Sequence, residues 1–265
     1  MTPTPGVLDE AELRAVAERF GVSDDQVRRD HLISHVLAAI GGVDGVLFYG
    51  GTALTRTALP DLRLSEDIDL IALGPRSRVV TDLVAAINRG LARSFGEVRW
   101  LPPLERTRDA EPVVLEVRAR LGVRLQLVSH EGQHVLPATQ RVIEQRYSDA
   151  PSVSLQTLTD DGFVAAKISA WLDRNAPRDL FDLHAMARAG LLSQAGIETV
   201  RATTNWTQFP QSVRWPVPPT DGDWQLQLAH QTRLTISSHA AHRVVVEALT
   251  RSAPSAQPEH KKPRL

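Results

Sequence analysis

The sequence predicts a mixed fold, α/β or α+β rather than a helical bundle. Amphipathic segments with apolar residues at helical spacing dominate both ends, and short apolar runs bounded by glycines or turns lie between them. Composition agrees, since 42% hydrophobic and 23% charged residues over 265 positions suffice for a proper core and exclude a disordered or fibrous chain. Length alone allows one large domain or two modest ones.

Leu8 to Phe20 reads as a first helix, with Leu13, Val16 and Phe20 at helical spacing. Asp24 to Ile40 reads as a second, carrying Val27, Leu32, Val36, Leu37 and Ile40 on one stripe, with Ser23 as N-cap. Gly41-Gly42 ends it. Val46-Leu47-Phe48-Tyr49 reads as a short buried strand, Gly50-Gly51 breaks that strand, and Thr52 to Thr57 can open a helix on the glycine turn. Asp67 to Leu73 reads as a second strand that sets Ile68, Leu70 and Ala72 against Asp67, Asp69 and Ile71. Arg78 to Phe95 is an amphipathic helix, followed by strands at Val98–Leu101, Val113–Ala119 and Val123–Val128, the last two joined tightly at Arg120-Leu121-Gly122.

Thr157 to Leu172 reads as helix with Thr159 as its capping signal, and Pro177 starts another over Arg178 to Arg188. Leu192 to Val200 adds a further helix. Pro210, Pro216, Pro218, Pro219 and Gly222 mark a loop over 208–222, before a final helix from Trp224 to Leu249 broken near His230. Residues 252–265 read as a polar, disordered tail. The expected division is a core at 1–150, a helical region at 151–251 and that tail.

Thirty basic against 31 acidic residues give a net charge of −1, so nucleic-acid contact needs a local basic patch. The absence of cysteine excludes disulfides, thiolate metal sites and cysteine nucleophiles, and permits a reducing compartment. Asp9, Glu10, Glu12, Glu18 and Asp24 interrupt the first 25 residues, unlike a secretory signal, and no apolar run approaches the ~20 residues of a membrane span. The expected location is the cytoplasm. Lys167 is the sole lysine outside the tail, which holds Lys261 and Lys262; drift in an Arg-biased chain explains this as readily as a need for a mobile point charge.

The densest chemistry lies in Gly50-Gly51-Thr52-Ala53-Leu54 and Arg63-Leu64-Ser65-Glu66-Asp67-Ile68-Asp69-Leu70. Two carboxylates two apart on a strand point the same way and repel unless a hard cation such as Mg²⁺ neutralises them. Glycines let backbone N–H groups approach phosphate oxygens. Each piece alone is as compatible with an ordinary turn or a solvated strand edge. In this order and spacing, the segment resembles the polymerase β-like nucleotidyltransferase superfamily, and the extended string resembles the AbiEii family of bacterial toxins, which includes the mycobacterial MenT toxins. The resemblance spans about Val27 to Arg188.

That resemblance implies an α/β fold: a nucleotidyltransferase core of mixed sheet and flanking helices, then a mostly helical C-terminal region. It matches Gly50 and Gly51 to phosphate-binding glycines, Ser65 to the polar residue of a Ser-Xaa-Asp-Xaa-Asp motif, Asp67 and Asp69 to its metal-binding carboxylates, and Arg63 to a preceding basic position. Lys167, Arg174, Arg178, Asp179, Phe181 and Asp182 resemble a second family block, in which Lys167 and Arg178 are expected on the nucleotide and Lys167 on its β- or γ-phosphate. Asp182 is expected at the active site, orienting the attacking hydroxyl, accepting its proton or holding Lys167; helix capping and pairing explain Asp179, and Asp182 can also pair with Arg174. The activity implied is that of an NTP- and Mg²⁺-dependent toxin, with two ions in the active complex, adding nucleotides to the 3′ end of tRNA and blocking translation, with a cognate antitoxin as partner. The alternatives are transfer to a protein or small-molecule hydroxyl, or a catalytically weak nucleotide-binding module.

One departure stands out. Superfamily members present a third carboxylate from a later strand, where this chain offers Arg124 and Gln126, leaving Glu116 as a substitute. His184 reads as a packing residue, and His130 and His134 lack a third ligand at convincing spacing. Trp171, Trp206, Trp215 and Trp224 read as helix packing before base stacking. Arg89, Arg93, Arg99, Arg106, Arg108, Arg118, Arg120 and Arg124 are either solvated or an RNA backbone track.

Overall fold

The computed structural model describes residues 4–118, 121–130, 136–204 and 206–252. Two N-terminal helices, α1 (Glu10–Phe20) and α2 (Asp24–Ala39), precede β1 (Val46–Tyr49), the short α3 (Gly50–Thr55) and β2 (Asp67–Ala72). Helix α4 (Arg76–Leu91) leads to β3 (Arg99–Leu101), β4 (Val113–Glu116), β5 (Gly122–Ser129), β6 (Ala138–Val142) and β7 (Ser154–Leu158). Five helices follow: α5 (Asp160–Arg174), α6 (Pro177–Arg188), α7 (Gln194–Thr203), α8 (Asp221–Leu228) and α9 (Ser238–Arg251).

The seven strands form one mixed sheet in the order β3-β4-β5-β2-β1-β7-β6. Strand β2 runs parallel to β5 and antiparallel to β1, and β1 runs parallel to β7. Ile68, Leu70 and Ala72 of β2 are fully buried and join the main core with Phe48, Leu125 and Leu127. That core continues without a break into α5 to α9 through Phe163, Ile168, Leu183, Ile197 and Val245. A smaller cluster, Leu13, Val16, Phe20, Val27, Leu64 and Tyr147, seats α1 on the edge of the core.

Local signals explain most helix ends. Asp9 accepts from the N–H groups of Ala11 and Glu12, Ser23 from Gln26, and Thr159 from Gly162, while Gly21 closes α1 with φ 69°. Pro177 occupies the first turn of α6, where its missing N–H costs nothing.

Two strands depart from the expected plan. Residues 154–158, expected to lead into a helix at Thr157, form β7 instead, with Leu155, Thr157 and Leu158 buried, and the helix starts only after the Thr159 cap. Strand β6 lies at the sheet edge with Ala138, Thr139, Gln140 and Val142 exposed, so no buried alternation marked it. The sheet therefore continues past residue 150. The expected final helix is two helices separated at 229–237, around the break anticipated at His230. Strand β4 stops at Glu116; the turn at Arg120, residue His134 and the tail from 253 lie outside the described residues. Trp171 stacks on Trp215 at 5.9 Å between ring centres and Trp224 meets Phe181 edge-on at 5.9 Å, so these three indoles pack helices as expected.

Candidate active site

The site grows from the centre of the sheet. On β2 the apolar side chains turn into the core, so Asp67 and Asp69 turn together to the opposite, half-open face. Cross-strand register sets Asp69 beside Tyr49 of β1 and Gln126 of β5, and Asp67 beside Arg124. The Arg124 guanidinium donates from Nε and Nη2 to the two Asp67 oxygens at 3.0 and 2.6 Å, and Arg178 of α6 stands 3.7 Å from the same carboxylate. Among the described residues Asp69 has no such fork. Burial and the Asp67 charge push its carboxyl up to about 6, against the pull of Lys167, Arg124 and Arg174. Burial and Asp69 likewise raise the Tyr49 phenol above its ordinary value.

The glycine pair makes room for this arrangement. Gly50 has φ +79°, and a Cβ there would collide with the Asp69 carboxylate. A Cβ on Gly51 would sit 2.6 Å from Nη2 of Arg63 and 3.0 Å from Oγ of Ser65. Thr52, next in α3, donates its hydroxyl to the Asp67 carbonyl and ties the glycine turn to the start of β2. Gly50, Gly51, Ser65, Asp67 and Asp69 thus meet at one place.

Behind them lies a closed cluster of charge. Arg63 donates from Nε and Nη2 to the two oxygens of Asp182, both at 2.8 Å, although 119 residues separate the pair. Nζ of Lys167 lies 2.7 Å from Asp182 and 3.1 Å from Asp179, and Arg174 forks onto Asp179 at 2.7 and 3.1 Å. Three cations thus face two carboxylates. Burial alone would raise the Asp182 carboxyl, yet Arg63 and Lys167 hold it down at about 2. Of the three roles expected for Asp182, holding Lys167 is the one that its contacts in the structure perform. Asp179 pairs with Arg174 rather than Arg178, and Asp182 with Arg63 rather than Arg174. The charge left over on Lys167 and Arg174 is felt at Asp69.

No carboxylate occupies the third strand position, because Arg124 and Gln126 stand there. Glu116 does not replace it: it pairs with Arg99 at 3.2 Å across β3 and β4, with β5 between it and the aspartates. An acid that the sequence did not single out arrives by a loop. Gln126 donates its side-chain amide to the Ala110 carbonyl, and Oδ1 of Asp109 accepts from the Ser129 N–H at 2.5 Å, which folds 108–111 over β5. Asp109 stands close enough to contribute to the raised Tyr49 phenol.

The break between α8 and α9 was anticipated; its purpose was not. Its backbone bonds Leu64 through the Gln231 carbonyl at 2.9 Å, and Oε1 of Gln231 accepts from Nη1 of Arg63 at 2.6 Å. Glu66 is held by Arg29 at 2.7 Å, His230 at 3.1 Å and Gln231 at 3.2 Å. The C-terminal region therefore clamps the segment that leads into the strand carrying the aspartates.

A family model described as the nucleotidyl transferase AbiEii toxin of type IV toxin–antitoxin systems matches residues 31–259. Among solved structures, MenT4, a nucleotidyltransferase toxin from Mycobacterium tuberculosis H37Rv, is 18% identical with a TM-score of 0.66, over 92% of this chain and 89% of that one. JHP933 from Helicobacter pylori is 14% identical with a TM-score of 0.53, over 87% of this chain and 93% of that one. At these identities the likeness is one of fold. No curated protein matches.

Proposed function

The chain belongs to the AbiEii nucleotidyltransferase toxin family of type IV toxin–antitoxin systems, and from that premise we propose that it transfers nucleotides from an NTP to the 3′ end of tRNA, with Mg²⁺, and so blocks translation. A toxin of this family has an antitoxin as partner. The proposed setting is the cytoplasm, where NTP and tRNA are available; among the described residues no helix is long and apolar enough to cross a membrane.

The observation that carries the reading is the imbalance at Asp69. Its carboxyl is driven up to about 6 by burial first and by Asp67 second, so its ionised form is disfavoured unless a further cation lies against it. Hard carboxylate oxygens on one face of a strand fit Mg²⁺. Asp67 and Asp69 would hold the two ions of the active complex. When bound, Mg²⁺ supplies charge neutralisation and makes a coordinated hydroxyl easier to ionise.

The chain's own residues would do the rest. Backbone N–H groups at Gly50-Gly51, the Ser65 hydroxyl, Lys167 and Arg178 bind and orient the triphosphate. The attacking 3′-hydroxyl gives up its proton to solvent water, its oxygen forms a bond to the α-phosphorus as the bond to pyrophosphate breaks, and the leaving charge develops toward Lys167 and Arg174. Asp179 and Asp182 aim these two cations, with Arg63 completing the clamp. Exposed Arg89, Arg93, Arg106 and Arg108 offer a track for the RNA backbone.

The test is incubation with Mg²⁺ and each labelled NTP in turn, together with total bacterial RNA or total protein. Label in the tRNA band, releasable from the 3′ end, is the expected result. Label confined to protein or a small molecule overturns the tRNA assignment, and no label from any NTP overturns the transferase reading.

A further inference from the structure

Far from the aspartates, three side chains converge in a way that their own hydrogen bonds cannot satisfy. His31 and His35 lie four apart on α2 and so share one face. Nε2 of His31 is 3.0 Å from each oxygen of Asp149, Nε2 of His35 is 3.0 Å from Oδ2 of Asp149, and the two Nε2 atoms are 3.2 Å apart. All three residues are buried. A neutral imidazole nitrogen carries either a proton or a lone pair. If both Nε2 atoms are protonated, each can donate to Asp149, but two N–H groups then face each other at 3.2 Å. If one is bare, its lone pair faces a carboxylate oxygen. With Asp149 ionised, every assignment leaves one side of the triangle repulsive.

A cation at the centre removes the conflict, because all three atoms then present lone pairs to it. We propose that His31, His35 and Asp149 form a Zn²⁺ site that fastens α2 to the segment after β6. The distances suit zinc: bonds of about 2.0–2.1 Å in a tetrahedron give ligand-to-ligand edges of about 3.3 Å, close to the separations of 3.0 to 3.2 Å. Two imidazoles four apart on a helix with one carboxylate are a zinc donor set, and zinc favours four-coordinate geometry without redox chemistry. The Gly6 N–H donates to Oδ2 of Asp149 at 2.7 Å, the outer-shell bond that fixes a ligating carboxylate. Phe95 and Tyr147 wall the cluster, their ring centres 5.0 to 5.8 Å from those of the histidines. Next to it α2 also reaches the catalytic strand edge, through Gln26 to the Leu64 carbonyl and Arg29 to Glu66. With three protein ligands the fourth position is left to water; the site would fasten α2 to the segment after β6 and is distinct from the Asp67–Asp69 face.

The experiment uses the full chain made without a polyhistidine tag, stripped by a chelator, dialysed against zinc and then against metal-free buffer. Metal content by mass spectrometry is expected at one zinc per chain in the parent and in the Asp67→Ala/Asp69→Ala double variant, falling to none in His31→Gln and His35→Gln. Co²⁺ added to the stripped parent is expected to give the intense visible bands of a tetrahedral site, and this reading does not depend on whether the variants fold. In the stripped Asp67→Ala/Asp69→Ala double variant, zinc, and not Mg²⁺, is expected to raise the melting temperature by several degrees. No zinc retained by the parent, unchanged zinc in the histidine variants, loss of zinc on changing Asp67 and Asp69 instead, or only the weak spectrum of octahedral Co²⁺ overturns the proposal.

Discussion

Two carboxylate pairs face each other across the site, and their surroundings give them opposite properties. Asp67 and Asp69 sit on the open face of a central strand, where one has an exposed arginine fork and the other is pushed up to about 6 by burial and its neighbour. Asp179 and Asp182 sit fully buried on α6, matched by Arg63, Lys167 and Arg174, and one of them is held at about 2. Burial pushes Asp69, Asp179 and Asp182 upward alike; what separates Asp69 from the other two is how fully fixed cations answer it. The buried pair is a finished structural clamp. In the strand pair, burial and the neighbouring carboxylate still disfavour the ionised form of Asp69, and this is where the proposed metal would sit.

The comparison breaks most visibly on activity. Asp67→Ala and Asp69→Ala are each expected to lower nucleotidyl transfer by about a hundredfold or more, the scale of a lost electrostatic stabiliser, while circular dichroism stays that of the parent. Near-normal transfer by either variant would remove the strand pair from the site.

Stability should move in opposite directions for the two pairs. Asp182→Asn leaves Arg63 and Lys167 buried without a full partner and is expected to cost about 3–5 kcal/mol, read from urea unfolding. Asp69→Asn removes a strained charge and is expected to gain about 1–3 kcal/mol at pH 7 without metal, the upper end following from a pKa raised from 3.8 to about 6. Equal destabilisation by both would erase the distinction.

The pH dependence sharpens it further. For Asp69 the folded pKa lies above the unfolded value, so its penalty is absent below about pH 4, grows as pH rises through about 6 and is complete above that. For Asp182 the folded pKa lies below the unfolded value, so its contribution is complete above about pH 4 and is lost as pH falls toward 2. The gain from Asp69→Asn should therefore grow between pH 4 and 7, and the loss from Asp182→Asn should shrink on acidification. Melting curves between about pH 2 and pH 7 check both signs.

A smaller effect concerns the acceptor. Arg93, Arg106, Arg108, Arg118 and Arg124 are all exposed, but Arg124 is committed to Asp67 and Arg118 donates to the Phe95 carbonyl, which leaves Arg93, Arg106 and Arg108 for the test. Changing those three together to Gln should weaken RNA modification and lower the log–log salt slope by about one unit per lost contact, with NTP binding unchanged. An unchanged slope would assign the RNA track elsewhere.

Much of the strand pair was legible in the sequence, because it depends on local rules. Alternation set Asp67 and Asp69 on one face, and Gly50-Gly51 marked the turn that gives Asp69 its space. The clamp was only half legible. Lys167, Asp179 and Asp182 share a short stretch, but the fork from Arg63 to Asp182 spans 119 residues and no periodicity reports it. Asp109 escaped notice for the same reason, since a loop rather than a strand delivers it beside Tyr49. The spacing of His31 and His35 was visible as a helical pair, whereas Asp149 lies 114 residues beyond the second of them and joins them only in the fold.

The most direct test of the contrast is the response of melting temperature to Mg²⁺ in the parent, Asp69→Asn and Asp182→Asn. The strand-pair account predicts that Mg²⁺ raises the parent's melting temperature, that Asp69→Asn melts higher than the parent without metal and no longer responds, and that Asp182→Asn melts lower yet still responds. A full Mg²⁺ response in Asp69→Asn, or one lost only in Asp182→Asn, would contradict it.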